Sequence, residues 1–150
     1  MSHSAGVDVS LYSPNNKLSG TCVIDLLLKK GWTIDDHGFI FYLPLHDDEM
    51  FDWQREPVQK WPEIRTTLSQ KERAEETIGL ALTWQDSQIG GTFLVAASGT
   101  HFSADWQINR QQVKCTPTLT DHSWYLTRVL RPLLENGIQV KSVQCYDYPS

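Results

Sequence analysis

The sharpest pattern in the chain runs from Ile78 to Trp84, where Ile78, Leu80, Leu82 and Trp84 alternate with Thr77, Gly79, Ala81 and Thr83. A period of two predicts a strand with one face turned to a core. Asp86-Ser87 can turn the chain into a second strand over residues 89–97, and Ser98-Gly99-Thr100 into a third, His101 to Ile108. On that third strand Phe102, Ala104, Trp106 and Ile108 share one face, and His101, Ser103, Asp105 and Gln107 share the other. The three form a meander. Gly90-Gly91 inside the second strand predicts a bulge or a close backbone approach.

Helical spacing appears three times. Leu18, Cys22, Val23, Leu26 and Leu27 make one apolar stripe, with Ser13-Pro14 as its start signal and Lys29, Lys30 and Gly31 as its end. Trp61, Ile64 and Leu68 predict a short helix, after which Ser69 and Glu72 match a capping box that opens a second helical segment through Glu76. Thr120 or Asp121 caps a long helix striped by Leu126, Val129, Leu130, Leu133 and Leu134, with a kink expected at Pro132, and Gly137 then releases the chain into a last strand through Tyr146. Trp32 to Ile34 and Phe39 to Leu43 flank Asp35-Asp36-His37-Gly38 and read as a hairpin. Leu45 to Pro62 follows neither period and reads as an irregular connection, while residues 1–12 are expected to be a flexible N-terminal segment. The order predicts one α+β domain over residues 1–150: a mainly antiparallel sheet with a central meander and helices on one face.

Composition narrows the class. The chain has 150 residues, 40% hydrophobic and 21% charged, which suits a single globular domain and not a disordered chain. Neither a secretory signal pattern at Met1 to Leu11 nor an apolar run of the roughly 20 residues a bilayer span needs is present, so a cytoplasmic protein without membrane association is expected. Cys22, Cys115 and Cys145 are odd in number and widely spaced, which fits reduced thiols. Thirteen basic residues against eighteen acidic ones give a net charge of −5. Such a field repels phosphates, so direct nucleic-acid binding is not expected.

Candidate chemistry is sparse. His101, Ser103 and Asp105 share a strand face, but successive members sit roughly 7 Å apart and Ser103 lacks the glycine-flanked elbow that exposes a nucleophile. His46-Asp47-Asp48-Glu49 has metal-ligating residue types without a second spaced set, and Gly90-Gly91 lacks the lysine and helix of a phosphate loop. No catalytic residue, cofactor or metal is expected.

Charge placement is the strongest signal. Residues 35–56 hold Asp35, Asp36, Asp47, Asp48, Glu49, Asp52 and Glu56 against Arg55 alone, a balance of −6 in 22 residues. Met50, Phe51, Trp53 and Trp61 lie among or beside these carboxylates. Rigid apolar groups mixed with charge anchor protein interfaces, and a run of carboxylates imitates a nucleic-acid backbone to a cationic groove. The alternative is an acidic surface loop whose aromatics tuck into the core. On the interface reading Asp35, Asp36, Asp47, Asp48, Glu49, Asp52 and Trp53 form a partner-binding site.

The element order, with GFIFYLPL at Gly38 to Leu45, IGLALTW at Ile78 to Trp84, FSADWQI at Phe102 to Ile108 and a C-terminal helix, resembles the immunity proteins of bacterial contact-dependent growth inhibition systems. The likeness spans most of the chain. It implies a small, acidic, cytoplasmic, non-enzymatic protein that neutralises a delivered toxin domain, frequently a nuclease, by stoichiometric binding. It carries over no individual residue. A small-molecule-binding domain or enzyme with a tryptophan-lined pocket between sheet and helices is the competing expectation, and an adaptor that packs its helical face on a partner is a third.

Overall fold

The computed structural model describes residues 3–15 and 17–148. In chain order the elements are β1 (Ser4–Tyr12), α1 (Gly20–Lys29), β2 (Trp32–Thr33), β3 (Phe39–Tyr42), β4 (Gln54–Pro57), α2 (Trp61–Arg73), β5 (Ile78–Trp84), β6 (Gly90–Val95), β7 (His101–Ile108), β8 (Gln112–Val113), β9 (Thr116–Thr120), α3 (His122–Leu134) and β10 (Gln139–Tyr148). Eight strands make one sheet in the order β10-β1-β7-β6-β5-β3-β4, with β2 also on β5, and β8 and β9 form a separate ribbon. Every pairing is antiparallel. The fold is α+β, as expected, with the meander β5-β6-β7 inside the sheet.

Alternation sets the layers. Val7, Val9, Ile78, Leu80, Leu82, Phe93, Val95, Phe102, Ala104 and Trp106 face one core, which also takes Val23, Ile24 and Leu27 of α1, Ile64 and Leu68 of α2, and Tyr125, Val129 and Leu133 of α3. All three helices therefore cover the same side of the sheet. Trp32, Phe93, Trp106 and Tyr125 pack ring against ring through this layer, so the space between sheet and helices is filled by side chains.

Several expectations are corrected. The segment over residues 1–12 is not flexible from Ser4 onward: it is β1, hydrogen-bonded between β7 and β10, with Ala5, Val7, Val9 and Leu11 buried. The strands at 32–34 and 39–43 do not pair with each other. Both lie along β5, Trp32 opposite Trp84 and Tyr42 opposite Leu80. The turn between them is closed by reciprocal backbone hydrogen bonds between Asp36 and Phe39 at 2.9 and 3.1 Å, with Gly38 N–H also donating to the Asp35 carboxylate at 2.6 Å. Part of the irregular connection, Gln54 to Pro57, pairs with β3 as an edge strand, where a proline costs no ladder hydrogen bond. Finally, α2 is one continuous helix. Glu72 does not close a box with Ser69; its carboxylate accepts the Thr21 N–H and hydroxyl at 2.8 and 2.7 Å, capping the N-terminus of α1, where an anion meets unpaired amides and the positive end of the helix dipole.

The start of α1 also falls later than expected. Ser19 is its N-cap, accepting from Cys22 N–H at 3.2 Å. Pro132 lies inside α3. With no N–H it leaves the Arg128 carbonyl, four residues back, without its helical donor, and the Trp32 indole N–H fills that place at 3.0 Å.

The glycine pair in β6 marks a bulge. Gly90 opposes Ile108 and Thr92 opposes Asp105, so Gly91 faces both Trp106 and Gln107. A Cβ on Gly91 would lie 2.0 Å from the Asp105 carbonyl oxygen, and backbone on a central strand cannot yield. Gly91→Ala is therefore expected to lower the free energy of unfolding by about 3 kcal/mol, read as a shift in urea midpoint.

Candidate functional site

The acidic signal of the sequence concentrates in the loop between β3 and β4, residues 43–53. Its entry is anchored: Leu43 is buried, donates its N–H to Gly79 carbonyl at 3.1 Å and packs with Trp53 over the side of Gly79 that faces away from the helices. Beyond that, His46, Asp48, Glu49 and Phe51 all adopt left-handed backbone, with φ of 63°, 57°, 58° and 54°. Four such residues in six positions carry strain that surrounding contacts must offset.

Those contacts are visible. Asp47, only 7% exposed, accepts the N–H groups of Phe51 and Asp52 on its two carboxylate oxygens, both at 2.9 Å, while its carbonyl accepts from Met50 N–H at 3.0 Å. His46 donates its backbone N–H to Glu76 at 2.7 Å, and its ring Nδ1 lies 2.9 Å from the same carboxylate. Lys71, 1% exposed, donates to the Pro44 carbonyl at 2.7 Å and to Glu76 at 3.3 Å. Burial alone would raise the Glu76 pKa, but the His46 amide, the Lys71 ammonium and the His46 ring together hold it below its ordinary value.

The result is an arch braced by internal hydrogen bonds, with an exposed crest. Asp48, Glu49 and Asp52 are exposed, and between them stand Met50 at 76% and Phe51 at 48% exposure. Under the arch lies a recess of about 400 Å³ whose walls include Asp47, Asp48, Glu49, Lys71, Glu75 and Glu76.

The expected site is thus divided. Asp48, Glu49 and Asp52 are exposed on the crest, the first two also bordering the recess, Asp47 is its internal brace, and Trp53 is half-buried beneath it. Asp35 and Asp36 lie at the opposite end of β3, where Asp35 ties its own turn and Asp36 lies 2.8 Å from the His37 ring. Glu56 sits on β4 opposite Ile40. Sequence reasoning missed Lys71, Glu75 and Glu76. One signal was available: Lys71 occupies the position after Ile64 and Leu68 at helical spacing, so a lysine stands in the apolar stripe of α2.

The other candidate groups do not assemble. His101, Ser103 and Asp105 share the sheet face opposite the helices, but no hydrogen bond joins Ser103 to a histidine among the described residues. Asp105 instead accepts from the Tyr146 hydroxyl, whose ring lies across Gly6. Burial, helped by Asp8 and opposed by Gln107, pushes the Asp105 carboxyl upward. Among the described residues no three His, Cys, Asp or Glu side chains are grouped to hold a metal ion, and no helix is long and apolar enough to cross a membrane. No protein-family model, curated protein or solved structure matches the chain.

Proposed function

We propose that this is a non-enzymatic binding protein, an immunity protein that neutralises the toxin domain of a bacterial contact-dependent growth inhibition system in the cytoplasm by forming a tight complex. The reading is carried by one observation: Met50 and Phe51 stand exposed among Asp48, Glu49 and Asp52 on a loop whose backbone is already fixed. Large exposed apolar side chains at a polar rim have the make-up of an interface anchor. A loop that is ordered before contact loses little further entropy on binding. The carboxylates favour a cationic surface such as the substrate groove of a nuclease, accelerating encounter, while the two apolar groups slow departure.

The test pairs the chain with the C-terminal domain of the protein encoded immediately upstream, which the immunity reading expects to be large and secreted. An equimolar complex is expected. Asp48→Lys, Glu49→Lys and Asp52→Lys together, all at exposed positions and compared with the parent on protein whose urea midpoint shows it folded, should lower the association rate about 100-fold at low salt, with the difference shrinking at high salt. Met50→Ala with Phe51→Ala should instead raise the dissociation rate about tenfold or more. A charge-reversed variant that binds as well as the parent removes the loop from the interface; a toxin domain that never forms the complex removes the immunity reading itself.

A further inference from the structure

We propose a second binding site, for a small anion carried on a planar apolar group, in the recess where the end of α1, the end of β5 and the outer side of α3 meet. The recess measures about 270 Å³ and is walled by Lys30, Trp84, Arg128, Arg131, Pro132 and Glu135. That volume lies just below the usual range for small-molecule sites, which limits an occupant to one flat ring system with a charged group carried on a short arm or a single sugar.

Charge is the first argument. In a chain of net charge −5, Lys30, Arg128 and Arg131 face only Glu135 here, a local balance of +2. None of the three cations makes an ion pair among the described residues. Both α1 and α3 end nearby, and each helix C-terminus contributes about half a negative charge. Two full positive charges outweigh that sum, so the recess stays attractive to an anion.

Preorganisation is the second. Gly31, at φ +118°, brings the end of α1 so near Trp84 that a Cβ there would lie 2.5 Å from the indole. Trp32 packs edge-on against the same ring at 5.5 Å. The Arg128 guanidinium lies 4.1 Å over Trp124 and 5.4 Å from the Trp84 ring, and its Nη1 donates to the Trp124 carbonyl at 2.9 Å. Its Nη2 group has no acceptor among the described residues and is not buried. Arg128 Nε is buried and Nη1 is engaged, so the guanidinium offers its Nη2 group as one fixed charged donor. Beside an indole and a proline ring, and with Lys30 and Arg131 nearby, that donor suits a carboxylate or phosphate attached to a flat group.

Trp84 and Thr77, which borders the acidic recess, are at opposite ends of β5, roughly 20 Å apart. The proposal therefore stands or falls separately from toxin binding.

The test is a titration of the full chain, followed by the indole N–H signals in NMR. The probes are 5′-AMP and indole-3-acetate, the two sources of a ring-borne anion, with adenosine and inorganic phosphate as controls. At least one ring-borne anion should saturate with a dissociation constant below about 1 mM, and the tighter of the two names the source. Adenosine and phosphate should each bind at least about tenfold more weakly, because each offers half of the recognition. Lys30→Gln with Arg131→Gln, both at exposed positions, should weaken binding about tenfold or more, and Glu135→Gln should tighten it about twofold. The proposal is overturned if neither ring-borne anion saturates in that range, if phosphate alone binds as tightly, or if the double variant binds unchanged.

Discussion

Val9→Asp is expected to abolish folding. Val9 is wholly buried, opposite Phe102 on β7 and Val143 on β10, so the aspartate would place a carboxylate inside the sheet's helix-covered face. An unpaired buried charge costs several kcal/mol, and the lost valine burial adds about 2 kcal/mol. Against a total stability of about 5–15 kcal/mol for a domain, that is enough to empty the native state. Far-UV circular dichroism at 25 °C should show no cooperative urea transition. Val9→Ala should fold with stability reduced by about 2–3 kcal/mol, and Ser10→Asp, whose side chain points to the uncovered side, should change little. A Val9→Asp protein that unfolds at the parental midpoint would mean that β1 is not part of the sheet.

The second large effect is an asymmetry within one ion pair. Lys71 is buried with two acceptors, the Pro44 carbonyl and Glu76, whereas Glu76 is 19% exposed and also bonded by His46. Glu76→Gln removes the countercharge of a buried ammonium and should cost about 3 kcal/mol. Lys71→Met removes the ion that needs compensation and leaves a carboxylate that water and His46 can satisfy, so its cost should be under about 1 kcal/mol. In the double variant most of the Glu76→Gln loss should return.

The pH dependence carries a matching signature. Because the folded state holds the Glu76 pKa below its ordinary value, the contribution is complete above the unfolded value of about 4.3 and disappears as pH falls through the lower folded value. Urea midpoints from pH 6 to 3 should therefore fall less steeply for Glu76→Gln than for the parent. Equal slopes would mean that Glu76 is not stabilised as an anion.

What could be read in advance follows from where each signal resides. The boundaries of β5 and β7 were legible because large apolar side chains alternate with small or polar ones along each, even though β5 is buried on both faces and only β7 leaves one face partly open. The alternation of Val7, Val9 and Leu11 with Gly6, Asp8 and Ser10 was equally present, but the partners that make β1 a strand lie about 90 and 140 residues away, and nothing local announces them. Ser69 and Glu72 had the spacing of a cap, yet Glu72 found its amides on another helix, a choice made by tertiary contact. In the acidic loop the charges were plain from composition. That Asp47 turns inward while Asp48, Glu49 and Asp52 stay exposed depends on four left-handed residues whose stabilising bonds come from Lys71 and Glu76 as well as from Asp47. The basic recess joins Lys30 to Arg131 across a hundred residues of chain, beyond any local pattern.

The position of β1 has a consequence for how the protein is made. Its neighbours, β7 and β10, are synthesised last among the main sheet strands, so Ala5, Val7, Val9 and Leu11 leave the ribosome with nothing to bury them. At translation rates of about 5–20 residues per second, the nascent chain exposes that strand for roughly 5–18 seconds before β7 emerges. A holdase chaperone would find its target at the amino-terminal end.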